Sequence, residues 1–153
     1  RNKRHETVQI LSTANVAFTH IKTLKPDVGG IWDMCYILND NTVVCCGDDT
    51  LVAIDAISGD TRWRIKHINQ QQIDPTGVAH KPGTDYIYIS DVKSHSVHEL
   101  QLTDAEPVYT RTVASPQSHG IGLPYWLSWH HNHRSLVLYN IKDKKQSLVW
   151  IKP

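Results

Sequence analysis

Short runs of β-branched and aromatic residues, separated by turn residues, recur along the whole chain. Thr42-Val43-Val44-Cys45-Cys46 and Asp85-Tyr86-Ile87-Tyr88-Ile89-Ser90 are the clearest of them. No long window carries apolar positions at helical spacing, so strands are predicted throughout. The opening segment reads as two strands, Val8–Ser12 and Val16–Leu24, turning at Thr13-Ala14-Asn15. Lys25-Pro26-Asp27 then breaks the pattern.

Four strands follow: Ile31–Ile37, Thr42–Cys46, Leu51–Ala56 and Thr61–Lys66, with turns at Asn39-Asp40-Asn41, Gly47-Asp48-Asp49-Thr50 and Ser58-Gly59-Asp60. The next four are Val78-Ala79-His80, Asp85–Ser90, Ser96–Leu102 and Val108–Val113. The last stretch gives three, Pro124–His130, Leu136–Asn140 and Ser147–Lys152, with a charged turn at Lys142–Lys145. Gly30-Ile31, Gly77-Val78 and Gly122-Leu123 each open one of these groups, at intervals of 47 and 45 residues. Repeats of roughly 40–50 residues, each built of four strands, are the signature of β-propeller blades. The expected fold is therefore all-β: about three sequential blades of antiparallel sheet in an incomplete ring. Residues 6–24 give a partial blade, 28–66 and 74–113 two whole ones, and 120–153 an incomplete one.

The motifs inside the repeats resemble the NHL family of β-propellers. Asp74-Pro75-Thr76-Gly77-Val78-Ala79 resembles the Pro-x-Gly-Ile/Val opening of that family, and Ile87-Tyr88-Ile89-Ser90-Asp91 resembles its apolar strand ending in a small residue and Asp. Ser94 to Leu100 occupies the stretch where the family has Asn-x-x-Ile/Val-x-x-Phe/Leu, with His95 replacing the usual Asn or Arg. The first repeat departs: Gly47-Asp48-Asp49 stands where Ala-Asp is expected, and Ile54 to Trp63 is similar to the repeat of quinone-dependent dehydrogenase propellers. Tyr88-Ile89-Ser90-Asp91 also resembles the Tyr-Trp-Thr-Asp motif of extracellular receptor-type propellers. The NHL resemblance implies a non-catalytic scaffold presenting rim loops to a partner, in some tripartite-motif proteins as the recognition part of a ubiquitin ligase. Any ligase chemistry would then lie in a domain outside this chain.

Charge and composition narrow the partner. A formal net charge of +1 gives no electrostatic case for nucleic acid, so a protein partner is expected, with RNA as the alternative. No apolar run approaches the roughly 20 residues of a membrane-spanning helix, and no membrane partner is expected. Starting at Arg1 without a leader, the chain is expected to be cut from a longer protein or to self-associate through unpaired sheet faces. Cys35, Cys45 and Cys46 are odd in number and two are adjacent, so buried free thiols and a cytosolic setting are expected.

No nucleotide loop, zinc-protease motif, Cys-x-x-Cys pair or nucleophile elbow is present. His130, His131 and His133 surround Asn132 at a predicted turn and read as a solvated loop rather than a metal site. Asn39-Asp40-Asn41 and Asp48-Asp49 read as hairpin turns, because the alternating calcium-loop pattern is missing. No cofactor is expected. A propeller enzyme, either a metal-dependent lactonase or esterase or a quinone-dependent dehydrogenase, is the competing class. The tryptophans Trp32, Trp63, Trp126, Trp129 and Trp150 are expected to fill gaps between sheets, with a rim hot spot as the alternative. Candidate partner contacts are the loops after the second strand of each blade: Asp48, Asp49, Asp91, Lys93 and His95.

Overall fold

A computed structural model describes residues 7–12, 19–26 and 28–153. The opening strands are β1 (Val8–Ser12) and β2 (Thr19–Leu24), paired antiparallel. The turn expected at 13–15 lies outside the described residues, as does the start of the second strand. The first full sheet holds β3 (Ile31–Ile37), β4 (Thr42–Gly47), β5 (Thr50–Asp55) and β6 (Thr61–Ile65), hydrogen-bonded in chain order. A small hairpin follows, β7 (His67–Ile68) with β8 (Gln71–Gln72). The second sheet is β9 (Pro75–His80), β10 (Tyr86–Asp91), β11 (Ser96–Gln101) and β12 (Val108–Ala114). One helical turn, α1 (Pro116–His119), leads to the third sheet: β13 (Leu123–His130), β14 (Ser135–Lys142) and β15 (Lys145–Ile151).

The sheets run in chain order because the turn residues space the runs for consecutive antiparallel pairing. Asp143 and Lys144 close the β14–β15 hairpin with positive φ at both positions (50° and 63°), which matches strand twist in a two-residue loop. Pro75 and Pro124 lie in β9 and β13, the edge strands of their sheets, where a missing N–H costs no ladder bond.

Three apolar layers alternate with the sheets. Val8 and Leu24 of the opening hairpin pack on Val43, Cys45, Val52 and Ile54 of the first sheet. The opposite face of that sheet, including Val44, Cys46, Leu51 and Trp63, meets Val78, Ile87, Ile89 and Leu100 of the second. Ala79, Tyr88 and Val97 of the second sheet then meet Leu127, Leu136, Leu138 and Ile151 of the third. Each sheet thus shields the apolar face of the next, which is how a blade stack builds its core. The adjacent Cys45 and Cys46 serve two different layers, as strand alternation requires.

The three thiols are free. Burial, with the Asp33 carboxylate adding to it, pushes Cys45 up to about 12 and raises Cys35 and Cys46 as well. Cys45 and Cys46 are enclosed and Cys35 is half-buried, and the raised thiols disfavour the nucleophilic thiolate in all three.

The tryptophans divide, and the expectation that all of them fill gaps is corrected. Trp63 is buried, and Trp129 stacks on Tyr88 with ring centroids 6.1 Å apart. Trp32, Trp126 and Trp150 are instead 44%, 59% and 50% exposed. Trp126 and Trp150 project from the outer face of the third sheet, which no further sheet covers among the described residues. Trp32 lies elsewhere, on a rim.

Candidate functional site

Each inner strand carries one extra residue near its start. Between Ile31 and Asp33 the register of β3 on β4 shifts by one, leaving Trp32 unmatched. Between Ser90 and Asp91 the β9–β10 register shifts and leaves Thr76 unmatched. Between Pro124 and Leu127 the pair Tyr125 and Trp126 faces Tyr139 alone. A bulge bends its strand and re-aims a side chain. Here the bulge residues Trp32, Thr76 and Tyr125 of three sheets line one open groove of about 750 Å³, Thr76 from beneath with its hydroxyl donating to the Pro124 carbonyl at 2.7 Å.

The groove has an apolar floor and a charged margin. Trp32, Ile73, Val92, Leu123 and Tyr125 supply the floor, and Asp48, Asp49, Asp74 and Lys93 the margin. The β4–β5 turn holds the first two acids. The Trp32 indole N–H donates to Asp48 Oδ1 at 3.4 Å. Asp49 takes positive φ (52°), and its Oδ1 accepts from Thr50 Oγ1 at 2.9 Å and from Lys66 Nζ at 3.1 Å. The Lys66 hydrogen bond, helped by Thr50, holds the exposed Asp49 carboxyl below its ordinary range.

Asp74 is fixed by its backbone. Its N–H donates to Asp91 Oδ1 at 2.8 Å, and its carbonyl accepts the Val92 N–H at 3.1 Å. Burial raises the Asp74 carboxyl, and the nearby carboxylates of Asp91, Asp48 and Asp49 raise it further. Lys93 reaches across to donate to Gln72 Oε1 at 2.7 Å.

Of the five residues expected to meet a partner, Asp48, Asp49 and Lys93 line this groove. Asp91 does not. It is 2% exposed, and its carboxylate accepts the Asp74, Lys93 and Ser94 N–H groups and the Ser94 hydroxyl. Burial pushes that carboxyl up, but contact with His98 and these hydrogen bonds together outweigh it and hold it at about 2. The side chain locks the β10–β11 loop from inside. His95 is exposed with positive φ (54°), and its Nδ1–H donates to the Gly122 carbonyl at 2.6 Å, clasping the second sheet to the third.

Ser94, His98 and Asp91 lie close enough to suggest a nucleophilic triad, and their connectivity argues against one. Ser94 Oγ is 2.9 Å from His98 Nε2, but Asp91 also binds Ser94, whereas His98 Nδ1 faces Thr112 Oγ1 at 3.0 Å. A triad acid holds the far ring nitrogen of the histidine, which Asp91 does not. Among the described residues no three His, Cys, Asp or Glu side chains gather to hold a metal ion. The His130 and His133 rings lie 4.7 Å apart and both pack edgewise on Trp150.

Sequence reasoning flagged the acidic turn but missed Trp32, Asp74, Leu123 and Tyr125 as neighbours. The usable signal was the glycine-marked start of each inner strand. What it lacked was the bulge, which is set by packing between sheets.

No family model matches the sequence, and no curated protein matches it. Solved structures do match it in shape. A chain in the crystal structure of the mitotic checkpoint complex superposes over 97% of this chain with a TM-score of 0.70 and 11% identity. A chain of the nidogen/laminin complex covers 95% with a TM-score of 0.73 and 12% identity. The structure of U3-55K covers 97% with a TM-score of 0.68 and 14% identity. This chain spans about half of each, 45%, 54% and 49% of their lengths. At such low identity the likeness shows architecture alone, and that architecture is the β-propeller: antiparallel blades stacked in sequence without a closed ring.

Proposed function

We propose that this chain is a non-catalytic protein-interaction scaffold whose rim groove captures a segment of a protein partner. One observation carries this reading: Trp32, Thr76 and Tyr125, at bulges on three separate inner strands, line the same concavity. An aromatic floor inside a polar margin is the anatomy of an interface hot spot. The groove's carboxylates favour a protein over RNA, whose phosphates they would repel.

The motif from Asp74 to Ala79 supports an NHL-type propeller, and with it the substrate-recognition part of a ubiquitin-ligase-type protein. Buried free thiols support a reducing, cytosolic setting. The test is crosslinking mass spectrometry on partner-bound chain. Crosslinks are expected at Lys93, and Trp32→Ala is expected to abolish them while leaving the melting temperature unchanged. Partner capture that ignores Trp32→Ala overturns the reading.

A further inference from the structure

We propose that the rim groove selects a partner segment bearing an arginine or lysine side chain, whose charged head enters between Asp48, Asp49 and Asp74 while its aliphatic stem lies on Trp32. This deepens the scaffold reading and rests on it. The floor alone would accept any apolar segment; the charge distribution selects among them.

Among the described residues three carboxylates line the groove, against one lining cation, Lys93, whose ammonium is already engaged by Gln72. Lys66 offsets Asp49 from outside the lining. The Asp74 carboxylate makes no hydrogen bond or ion pair with any described residue, although its backbone is pinned on both sides. Burial and three neighbouring carboxylates disfavour its ionised form, with Lys93 pulling less strongly the other way, so an arriving cation would relieve the remaining repulsion.

Trp32 is nearly half exposed and hydrogen-bonds Asp48, which places an aromatic surface directly beside an acceptor. A guanidinium is recognised by that combination, through its donors and through the ring face. An acidic segment would meet like charge, and a neutral one would cover the half-buried Asp74 without giving it a partner.

The experiment uses the whole chain and three dye-labelled peptides of equal length, differing only in a central Arg, Gln or Glu within a Leu/Gly context. Fluorescence anisotropy is expected to show the Arg peptide binding about tenfold more tightly than the Gln peptide, with no Glu binding. That advantage should shrink as salt rises. Asp74→Asn, checked for folding by its thermal melt, should erase the Arg preference without changing the Gln peptide. Lys93→Gln should tighten the Arg peptide, an effect of opposite sign that impaired folding cannot mimic. Equal binding of all three peptides, or of none, overturns the charge selection. The groove reading itself falls only if Trp32→Ala also leaves partner crosslinking intact.

Discussion

The Asp33 carboxylate on β3 accepts the Val78 backbone N–H on β9 at 3.1 Å, lacing the inner strand of the first sheet to that of the second. Its other oxygen takes the Met34 N–H at 2.9 Å. The Trp32 bulge makes this possible, because the extra residue turns Asp33 toward the neighbouring sheet. The same local irregularity therefore serves the core and the groove.

Asp33→Ala should destabilise the chain by about 1–3 kcal/mol, since two backbone N–H groups lose their acceptor, that of Val78 in a partly buried place. Asp33→Asn should cost less. It keeps one acceptor and removes a charge that burial already disfavours, which is why the Asp33 carboxyl is raised despite those hydrogen bonds. Urea titrations of the two variants check the order; an Asn variant less stable than the Ala variant contradicts it.

Acid should act through Asp91 in the opposite sense. Its folded carboxyl stands at about 2, below the ordinary 3.8. A depressed folded pKa gives stability that is present above 3.8 and lost as pH falls toward 2. The Asp91→Asn variant should be weaker than wild type by about 2 kcal/mol at pH 6, and the gap should close near pH 2. Asp33 and Asp74, both raised, contribute with the reverse sign: their ionisation costs stability as pH rises. Denaturant melts across this range, run on wild type and Asp91→Asn together, separate the two.

Gly77 lies where β9 passes close against β13 of the third sheet. A Cβ there would meet the Tyr125 carbonyl oxygen at 2.5 Å and the Leu127 nitrogen at 2.8 Å, both backbone atoms that cannot step aside cheaply. Gly77→Ala should therefore cost about 1–3 kcal/mol. The loss should show first as faster amide exchange in β13, which docks at that point. Unchanged exchange there would mean that the sheets have room to part.

How far the sequence shows this arrangement depends on which forces decide each part. The strands of the first two sheets were legible because turn residues and β-branched runs act locally: Ile31–Ile37 agrees at both ends. The β7–β8 hairpin was not, since two residues a side, with Ile68 the single apolar one, carry no periodicity and its turn rests on positive φ at Asn69 and Gln70. Nor was α1, four residues long and capped reciprocally by Ser115 and Ser118. Asp91 ends β10 and Asp49 sits in the turn after β4, and the two look alike in sequence. Only packing reveals that one carboxylate turns inward to brace its loop while the other stays at the margin. Glycine at 77 marked a repeat, but its cause is the backbone of a strand nearly fifty residues away.

The outer face of the third sheet carries the last prediction. Trp126, Leu148 and Trp150 project from it and are all at least half exposed, while the reverse face is sealed against the second sheet. The matching solved structures are about twice as long as this chain, so each continues past the matched region. An apolar sheet face of this kind is a ready surface for association. Alone in solution, the chain is expected to cover it with a second copy of itself, and sedimentation velocity should find a species larger than the monomer. Replacing Leu148 and Trp150 together by Lys should return it to a monomer with an unchanged far-ultraviolet spectrum, because neither side chain contributes to the sealed layer. A wild-type chain that sediments as a monomer and melts cooperatively would show that this face tolerates water, and that the stack is stable without another blade on it.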